Sequence, residues 1–362
     1  MLCREQAASA VIFTEGRCDM LTKIGLDLGY SNITLSDVTS GIYREPSVAL
    51  VDKDSRRIVA VGNSAIMGET ENASGGILVR PFKNGLLFDK SITAGIIDNA
   101  LKAVISAESV RCVFGVPSDL LPKQERVLDA MLKSAGVGES VFVNRALAAL
   151  VGAGYSPLIS AITVEIGAGS TEVLILHKGT VVYQKRTSVG GEDFDKAVKQ
   201  YIMDQGDVNV SLSVSKAIKE KLGAVWQGRA EESIDIEGTL SLTGNKVKMS
   251  ITTEDIVGVF EKPLHALLTA VSDGVKRIPA EFVEAIFENG IIITGGGAEI
   301  YGLETMMSKV LDIPVARPDS PIDCVARGLS RINNILPPNA KVGGKNVTGT
   351  LAKYYTDKNK QK

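Results

Sequence analysis

Two stretches of this chain repeat one another 138 residues apart, the separation of Asp27 and Glu165, and no other feature limits the fold as tightly. The first is KIGLDLGYSN, residues 23–32, and the second is AITVEIGAGSTEV, residues 161–173. Each is an apolar strand ending in a carboxylate, then a glycine turn, a hydroxyl residue and the start of a second strand. After the second copy, GTVVYQKRTS supplies a third strand. Between and beyond the copies, short apolar runs alternate with longer helical patterns, which is the α/β signature. Two such hairpins so far apart predict two related α/β halves facing one another, with a ligand between them.

Composition removes several chemistries. The chain holds only two histidines, His177 and His265, so a zinc site, a histidine triad or a histidine general base is not expected. Cys3, Cys18, Cys112 and Cys324 lie far apart without a CxxC pair, which fits a reducing compartment rather than a disulfide framework. The net charge of −2 gives no basic excess for nucleic acid or an anionic membrane. The longest apolar run, Ala146–Gly154, falls short of the ~18 residues that cross a bilayer.

Strands are expected at Lys23–Asp27, Ile33–Ser36, Ser47–Val51, Arg57–Val61, Arg111–Pro117, Ser140–Val143, Ala161–Glu165, Glu172–His177, Val181–Ser188 and Gly290–Thr294. Helices are expected at Ser91–Ala107, Pro122–Ala135, Ala146–Tyr155, Asp193–Gln205, Ser213–Leu222, Thr253–Arg277 and Glu304–Val310. Thr253, followed by Glu254 and Asp255, reads as a helix N-cap. Gly136 and Gly223 sit where C-terminal caps belong.

Three motifs carry the chemistry. In Asp27–Asn32, a glycine turn exposes successive backbone N–H groups as a nest for an anion. The carboxylate at the strand end can hold a hydrated metal ion. The alternative is a plain hairpin. In Glu165–Glu172, Gly167 and Gly169 bracket Ala168, and Ser170 and Thr171 add hydroxyl donors; the alternative is a glycine-rich turn in a meander. In Ile291–Glu299, an apolar strand runs into Gly295, Gly296 and Gly297, then Ala298 and Glu299 at a helix start. Such a turn lets backbone approach a phosphorylated or planar group, and its alternative is a strained strand-to-helix corner. A Walker loop is absent, and the Rossmann fingerprint fails because Glu172 and Ile300 stand where its last glycine belongs.

Taken in order, these motifs resemble the actin/Hsp70/sugar-kinase superfamily, and within it the bacterial actins of the MreB/Mbl type. The likeness also includes REPSVAL with VAVGNSA, VRPFKNGLLFD, VFGVPSDLLPKQERVLDAMLKSAG, SVGGEDFDKAVKQYI and CVARGLS, and covers nearly all of 23–336. It implies an actin-like α/β fold: two RNase H-like domains, each with a smaller inserted subdomain, and a nucleotide cleft between them. The first domain would be 20–51, 81–155 and 325–340, with a small subdomain at 52–80. The second would be 156–190 and 250–324, with a small subdomain at 191–249. Residues 1–19 read as an extension with a membrane-surface helix as the alternative, and 341–362 as a frayed tail.

The resemblance also implies ATP with Mg2+ as cofactors. Gly29, Tyr30, Ser31 and Asn32 would grip phosphates together with Gly167, Ala168, Gly169 and Ser170. Asp27 and Glu165 would hold the metal through water. Lys216 and Lys219 would flank the adenosine, along with Gly295, Gly296, Gly297, Ala298 and Glu299; the alternative for SKAIKEKLG is a solvated basic helix face. Partners implied are other copies of the chain, head to tail in paired protofilaments, and a membrane-associated adaptor, but no nucleic acid. The location implied is the cytoplasm.

The sequence departs from the family where it bears on mechanism. The family's Glu-Glu-Pro is here Asn144-Arg145-Ala146, so a guanidinium stands where a carboxylate would orient the attacking water. Arg145 is therefore expected either to pair with Glu165, or to clamp a γ-phosphate, or to lie on the helix surface. Glu165 replaces an aspartate and Tyr30 a threonine. The link AVISAESVRC is short and polar where relatives carry an apolar membrane loop. The functional expectation is a cell-shape filament with slow ATP hydrolysis. Alternatives are an organelle- or plasmid-positioning filament and a small-molecule kinase, for which Asp119 sits in an unpromising loop. A chaperone would need a long substrate-binding tail after the second domain.

Overall fold

The computed structural model describes residues 21–37, 41–71, 76–83, 86–87, 89–105, 109–337, 351 and 355. Outside them lie Cys3, Cys18, the expected extension at 1–19, nearly all of the tail at 341–362, positions 84, 85 and 88 of the VRPFKNGLLFD loop, and 106–108 of the polar link. The chain divides into two compact units, one formed up to Gly152 and from Val325 onward, the other formed by Ala153–Cys324.

In chain order the first unit carries β1 (Thr22–Leu28), β2 (Asn32–Asp37), β3 (Gly41–Pro46), β4 (Ala49–Asp52), β5 (Ile58–Val61), α1 (Gly62–Glu71), β6 (Gly76–Val79), the short pair β7 (Phe82–Lys83) and β8 (Leu86–Leu87), α2 (Lys90–Val104), β9 (Val110–Val116), α3 (Pro122–Ser134), β10 (Glu139–Asn144) and α4 (Arg145–Gly152). The second carries β11 (Ala161–Ile166), β12 (Thr171–His177), β13 (Thr180–Thr187), α5 (Gly191–Gly206), β14 (Val208–Asn209), α6 (Leu212–Leu222), β15 (Ser233–Leu240), β16 (Lys246–Thr252), α7 (Thr253–Val257), α8 (Glu261–Val275), α9 (Val283–Phe287), β17 (Ile291–Thr294), α10 (Leu303–Leu311) and β18 (Val315–Ala316). Helix α11 (Cys324–Ile335) then returns the chain to the first unit.

The repeat seen in the sequence is a repeat of topology. The first unit has a five-stranded sheet in the order β3-β2-β1-β9-β10, and the second has one in the order β13-β12-β11-β17-β18. In both, the central strand pairs antiparallel with the next strand in the chain and parallel with a strand that arrives after helical crossovers. Asp27 lies between Thr34 and Gly115 on neighbouring strands, and Glu165 lies between Glu172 and Thr294. The two acids therefore occupy the same place in two copies of one sheet. Each unit also has a smaller three-stranded sheet, β5-β4-β6 in the first and β14-β15-β16 in the second.

Central strands are buried on both faces, so they read as continuous apolar runs. Helix α2 covers one face of the first sheet with Ile92, Ile96, Ile97, Leu101 and Val104, a helical stripe capped by the Asp89 carboxylate, which accepts from Ile92 N–H at 3.0 Å. The opposite face is closed by α11. Its Asn333 amide donates to the carbonyls of Ile24 at 2.8 Å and Arg111 at 3.1 Å, and Arg331 donates to Val151 at 2.8 Å. Gly328 permits this approach, because a Cβ there would stand 1.7 Å from the carbonyl oxygen of Ala148.

Several local expectations shift. Edge strand β3 and helix α1 were not anticipated, because β3 is mostly half-exposed and polar and α1 opens on Gly-Asn-Ser. The strand expected at Ser47–Val51 runs from Ala49 to Asp52 and belongs to the small sheet. The single helix expected over Thr253–Arg277 is two, α7 and α8, separated at Gly258–Phe260. The cap is Thr252, not Thr253. Its hydroxyl accepts from Asp255 N–H at 3.3 Å, while the Asp255 carboxylate accepts from Thr252 N–H at 2.8 Å, a reciprocal box that β16 feeds directly. No helix among the described residues is long and apolar enough to cross a membrane.

Because the contact at Gly328 is with backbone, the Gly328→Ala protein is expected to lose about 2 kcal/mol or more of stability. A urea titration reads this as a lower midpoint at unchanged slope; an unchanged midpoint would show that α11 does not sit as described.

Candidate functional site

The first turn is tight. Gly29 N–H donates to the Asn32 carbonyl at 2.9 Å, and a Cβ on Gly29 would stand 2.9 Å from that same oxygen. The carbonyl side of the turn is tied to the protein. Ser47 N–H donates to the Ser31 oxygen at 2.8 Å, and Arg80 donates to the oxygens of Tyr30 at 3.1 Å and Ser31 at 3.4 Å. The Arg80 guanidinium also lies 5.5 Å from the centre of the Tyr30 ring, a cation–π contact. Tyr30 thus gives the turn a second hold on Arg80 that a small threonine could not.

Behind the turn, Asp27 is buried, and burial pushes its carboxyl above the ordinary carboxylate range against the opposing pull of Arg145 and Arg44. Arg145 Nη2 sits 3.4 Å from Asp27 Oδ2, with both side chains largely buried. Arg145 is the first residue of α4, whose N-terminus is capped by Asn144 Oδ1 accepting from Leu147 N–H at 3.0 Å. A helix N-terminus favours an anion, so helix electrostatics argue against an arginine there; Asp27 accounts for it. None of the expectations for Arg145 named Asp27, which stands 118 residues away in sequence.

In the second unit, Gly167 N–H donates to the Ser170 carbonyl at 2.9 Å, the same closure as in the first turn. Here too the carbonyl side is tied down. Gly191 N–H donates to the Gly167 oxygen at 2.9 Å and Glu192 N–H to the Ala168 oxygen at 2.8 Å, both from the start of α5. Gly190 was not singled out by sequence, yet a Cβ there would meet the Ala168 oxygen at 2.5 Å and Ser170 N at 2.6 Å. Glu165 is buried beside Glu172, with Arg186 opposite Glu172 on the next strand.

The triple glycine resolves into two roles. Gly295 has φ +79°, and its Cβ would meet the Ile166 oxygen at 2.4 Å; a Cβ on Gly297 would meet Ile166 Cγ2 at 2.2 Å. Those two serve the corner itself, packing it on β11. Gly296 is exposed, and a Cβ there would meet only Ile322, at an ordinary 3.6 Å, so it is the glycine that packing does not demand. Ala298 is buried, whereas Glu299 is exposed and lines an open cavity of about 510 Å3 with Trp226, Arg229, Tyr301 and Arg317.

Lys216 and Lys219 part company. Lys216 is half-exposed and reaches Glu220 at 3.6 Å, as a solvated face would. Lys219 is largely buried, 2.7 Å from the Asp195 carboxylate, and donates to the Gly191 carbonyl at 3.0 Å. It braces the start of α5 against α6 behind the second turn. Asp195 was not anticipated; burial raises its carboxyl and Lys219 opposes the rise.

A magnesium ion keeps several waters and binds through one or two carboxylates plus phosphate oxygens. At Asp27 the two oxygens differ: Oδ2 already meets the Arg145 guanidinium, which opposes a cation, whereas Oδ1 is buried without a hydrogen bond and is the oxygen left for one. Glu165 is the remaining expected acid. No group of three His, Cys, Asp or Glu among the described residues is placed to hold a metal.

The MreB/Mbl protein family matches residues 21–338. The chain belongs to the MreB/Mbl family. The cell shape-determining protein Mbl of Bacillus cereus is 28% identical over 315 residues, covering 84% of this chain and 93% of the relative. The cell shape-determining protein MreB of Escherichia coli is 28% identical over 318 residues, covering 84% and 91%. Among solved structures, MreB5 of Spiroplasma citri bound to AMPPNP superposes with a TM-score of 0.81 at 21% identity, covering 88% of this chain and 97% of that one. The MamK double helical filament superposes at 0.75 and 21% identity, covering 87% and 99%. This MreB/Mbl chain therefore has the actin-like fold that its sequence resembles.

Replacing Lys219 by methionine in this MreB/Mbl chain leaves Asp195 buried and uncompensated, at an expected cost of about 3 kcal/mol or more. An acid whose folded value is raised contributes stability below its unfolded value and loses it as pH rises through the folded one. The deficit should therefore be largest at neutral pH and shrink as pH falls toward about 4. Chemical denaturation across that range measures it. Lys216→Ala should stay within about 0.5 kcal/mol; equal effects at both lysines would contradict the assignment.

Proposed function

We propose that this chain binds ATP and polymerises head to tail, in paired protofilaments, into cytoplasmic cytoskeletal filaments that serve cell shape. One observation carries the reading: the same five-stranded order occurs twice, each time with a buried acid at the end of the central strand and a tight glycine turn directly after it. In both turns carbonyl oxygens are held by internal donors, which leaves the N–H side as the face that a phosphate would meet. The Gly29 and Gly167 amides close the turns internally, so the amides of Tyr30–Asn32 and Ala168–Ser170 are the proposed phosphate donors, and the exposed Gly296 the proposed approach for the nucleoside. Relatives named for cell shape, neighbours solved with AMPPNP and ADP, and a neighbour solved as a filament support the same reading. A membrane-associated adaptor, not nucleic acid, is the proposed additional partner, in keeping with a net charge of −2.

Hydrolysis is proposed to be slow. A guanidinium cannot take a proton from water, and Arg145 is engaged with Asp27. Loss of a water-positioning group typically costs about 10²-fold or more. ATP slowing in this way would favour long-lived filaments, because nucleotide state biases the assembling conformation.

Calorimetry with ATP should show saturable uptake, and electron microscopy with a non-hydrolysable analogue should show filaments. Phosphate release should be slow, and Arg145→Glu should release phosphate faster than the parent protein. No nucleotide uptake at millimolar ligand would defeat the reading, and parent turnover at or above that of the Arg145→Glu variant would defeat the hydrolysis proposal.

A further inference from the structure

We propose that Arg80 is a positioning residue for the first phosphate turn, and that through it nucleotide occupancy is coupled to the small sheet of the first unit. The proposal rests on the nucleotide reading above and adds to it a regulatory link between the turn and the sheet β5-β4-β6.

Residues 49–79, which form the small sheet and α1, join the rest of the unit by two links, one after β3 and one after β6. Both links end on the same turn. From the first, Ser47 N–H donates to the Ser31 oxygen at 2.8 Å. From the second, Arg80 donates to the oxygens of Tyr30 at 3.1 Å and Ser31 at 3.4 Å. Neither link is slack. Buried Pro81 follows Arg80, and the residue before a proline is held extended. Ahead of Ser47, the buried Glu45 carboxylate accepts from Asn63 N–H at the start of α1, at 3.2 Å, and from the Asn99 amide of α2, at 2.9 Å. Gly62 lets α1 come this close, since a Cβ there would stand 2.2 Å from Glu45 Cδ. Gly62 N–H then donates to the Val48 oxygen at 2.8 Å.

The grip on the carbonyls sets the amides. In a trans peptide the N–H points away from the C=O of the same planar unit. The two oxygens that Arg80 holds belong to the units whose N–H groups are those of Ser31 and Asn32, both proposed phosphate donors. Arg80 therefore aims these donors, and a cation at the carbonyl polarises the unit and strengthens its N–H. The Arg80 side chain is exposed and would lose rotamer freedom in holding this pose. The Tyr30 ring, 5.5 Å from the guanidinium, keeps it over the turn. Coupling of this kind is reciprocal: phosphate that orders the turn also steadies the small sheet.

The test is calorimetric titration of the full chain with AMP-PNP in millimolar Mg2+, joined to hydrogen–deuterium exchange of the free and saturated protein. Arg80→Gln should raise the Kd about three- to tenfold, the range for exposed hydrogen bonds with a cation–π contact. Arg80→Lys keeps a charged donor and should recover part of that loss. In the parent, AMP-PNP should also slow exchange modestly in peptides spanning 49–61. In saturated Arg80→Gln that slowing should vanish while slowing at 165–172 persists, a split that a merely structural role would not produce. Tyr30→Thr should weaken binding in the parent but add little to Arg80→Gln, because both release the same contact. A parental Kd in Arg80→Gln overturns the positioning role, and parental slowing at 49–61 in that variant overturns the coupling; either leaves the nucleotide reading standing. Absence of uptake by the parent overturns both. Should the circular dichroism spectrum of Arg80→Gln differ from the parent's, Tyr30→Thr carries the same two readouts with the same outcomes.

Discussion

A carboxylate buried at the end of a central strand must have a positive charge near it, and in the first unit that requirement organises the site. Asp27 faces Arg145 at 3.4 Å, with Arg44 adding a weaker pull. Leaving such a charge uncompensated typically costs about 3–5 kcal/mol, so the acid, the start of α4 and the space beside Gly115 act as one unit. The second unit meets the same problem differently. Glu165 lies next to another buried acid, Glu172, and an arginine, Arg186, stands one strand further out. The same sheet has thus been given two electrostatic settings.

The turns that follow the two acids are what those sheets position. Each closes with a single backbone hydrogen bond of 2.9 Å, and in each the carbonyls are claimed from outside the turn. The claimants differ: Arg80 and Ser47 in the first unit, the opening N–H groups of α5 in the second. Lys219 then holds α5 in place through Asp195. Backbone groups set in this way need no side chain of their own to act, which is why tyrosine, alanine and serine can all stand in the turns.

The central strands and both turns were legible because a strand buried on two faces is an unbroken apolar run, and glycine after an acid is a local signal. Edge strand β3 was not, since a half-exposed strand lacks that run. Helix α1 lacked a clear apolar face. The partners of charged residues were the least legible. Lys219 and Lys216 look alike in SKAIKEKLG, yet one is buried against Asp195, 24 residues earlier, and the other is solvated. Arg145 was recognised as a departure, but its partner lies 118 residues upstream, beyond any local pattern. For the triple glycine, the sequence showed an excess, and only the packing on Ile166 separates the two that the corner requires from Gly296.

The central claim is that backbone amides of two equivalent turns take up nucleotide phosphate. Hydrogen–deuterium exchange read by mass spectrometry, with and without AMP-PNP, addresses those amides themselves. The account predicts slowed exchange concentrated in peptides spanning 27–34 and 165–172, with lesser change in the exposed helices. Protection absent from both peptides while the nucleotide is bound would contradict it.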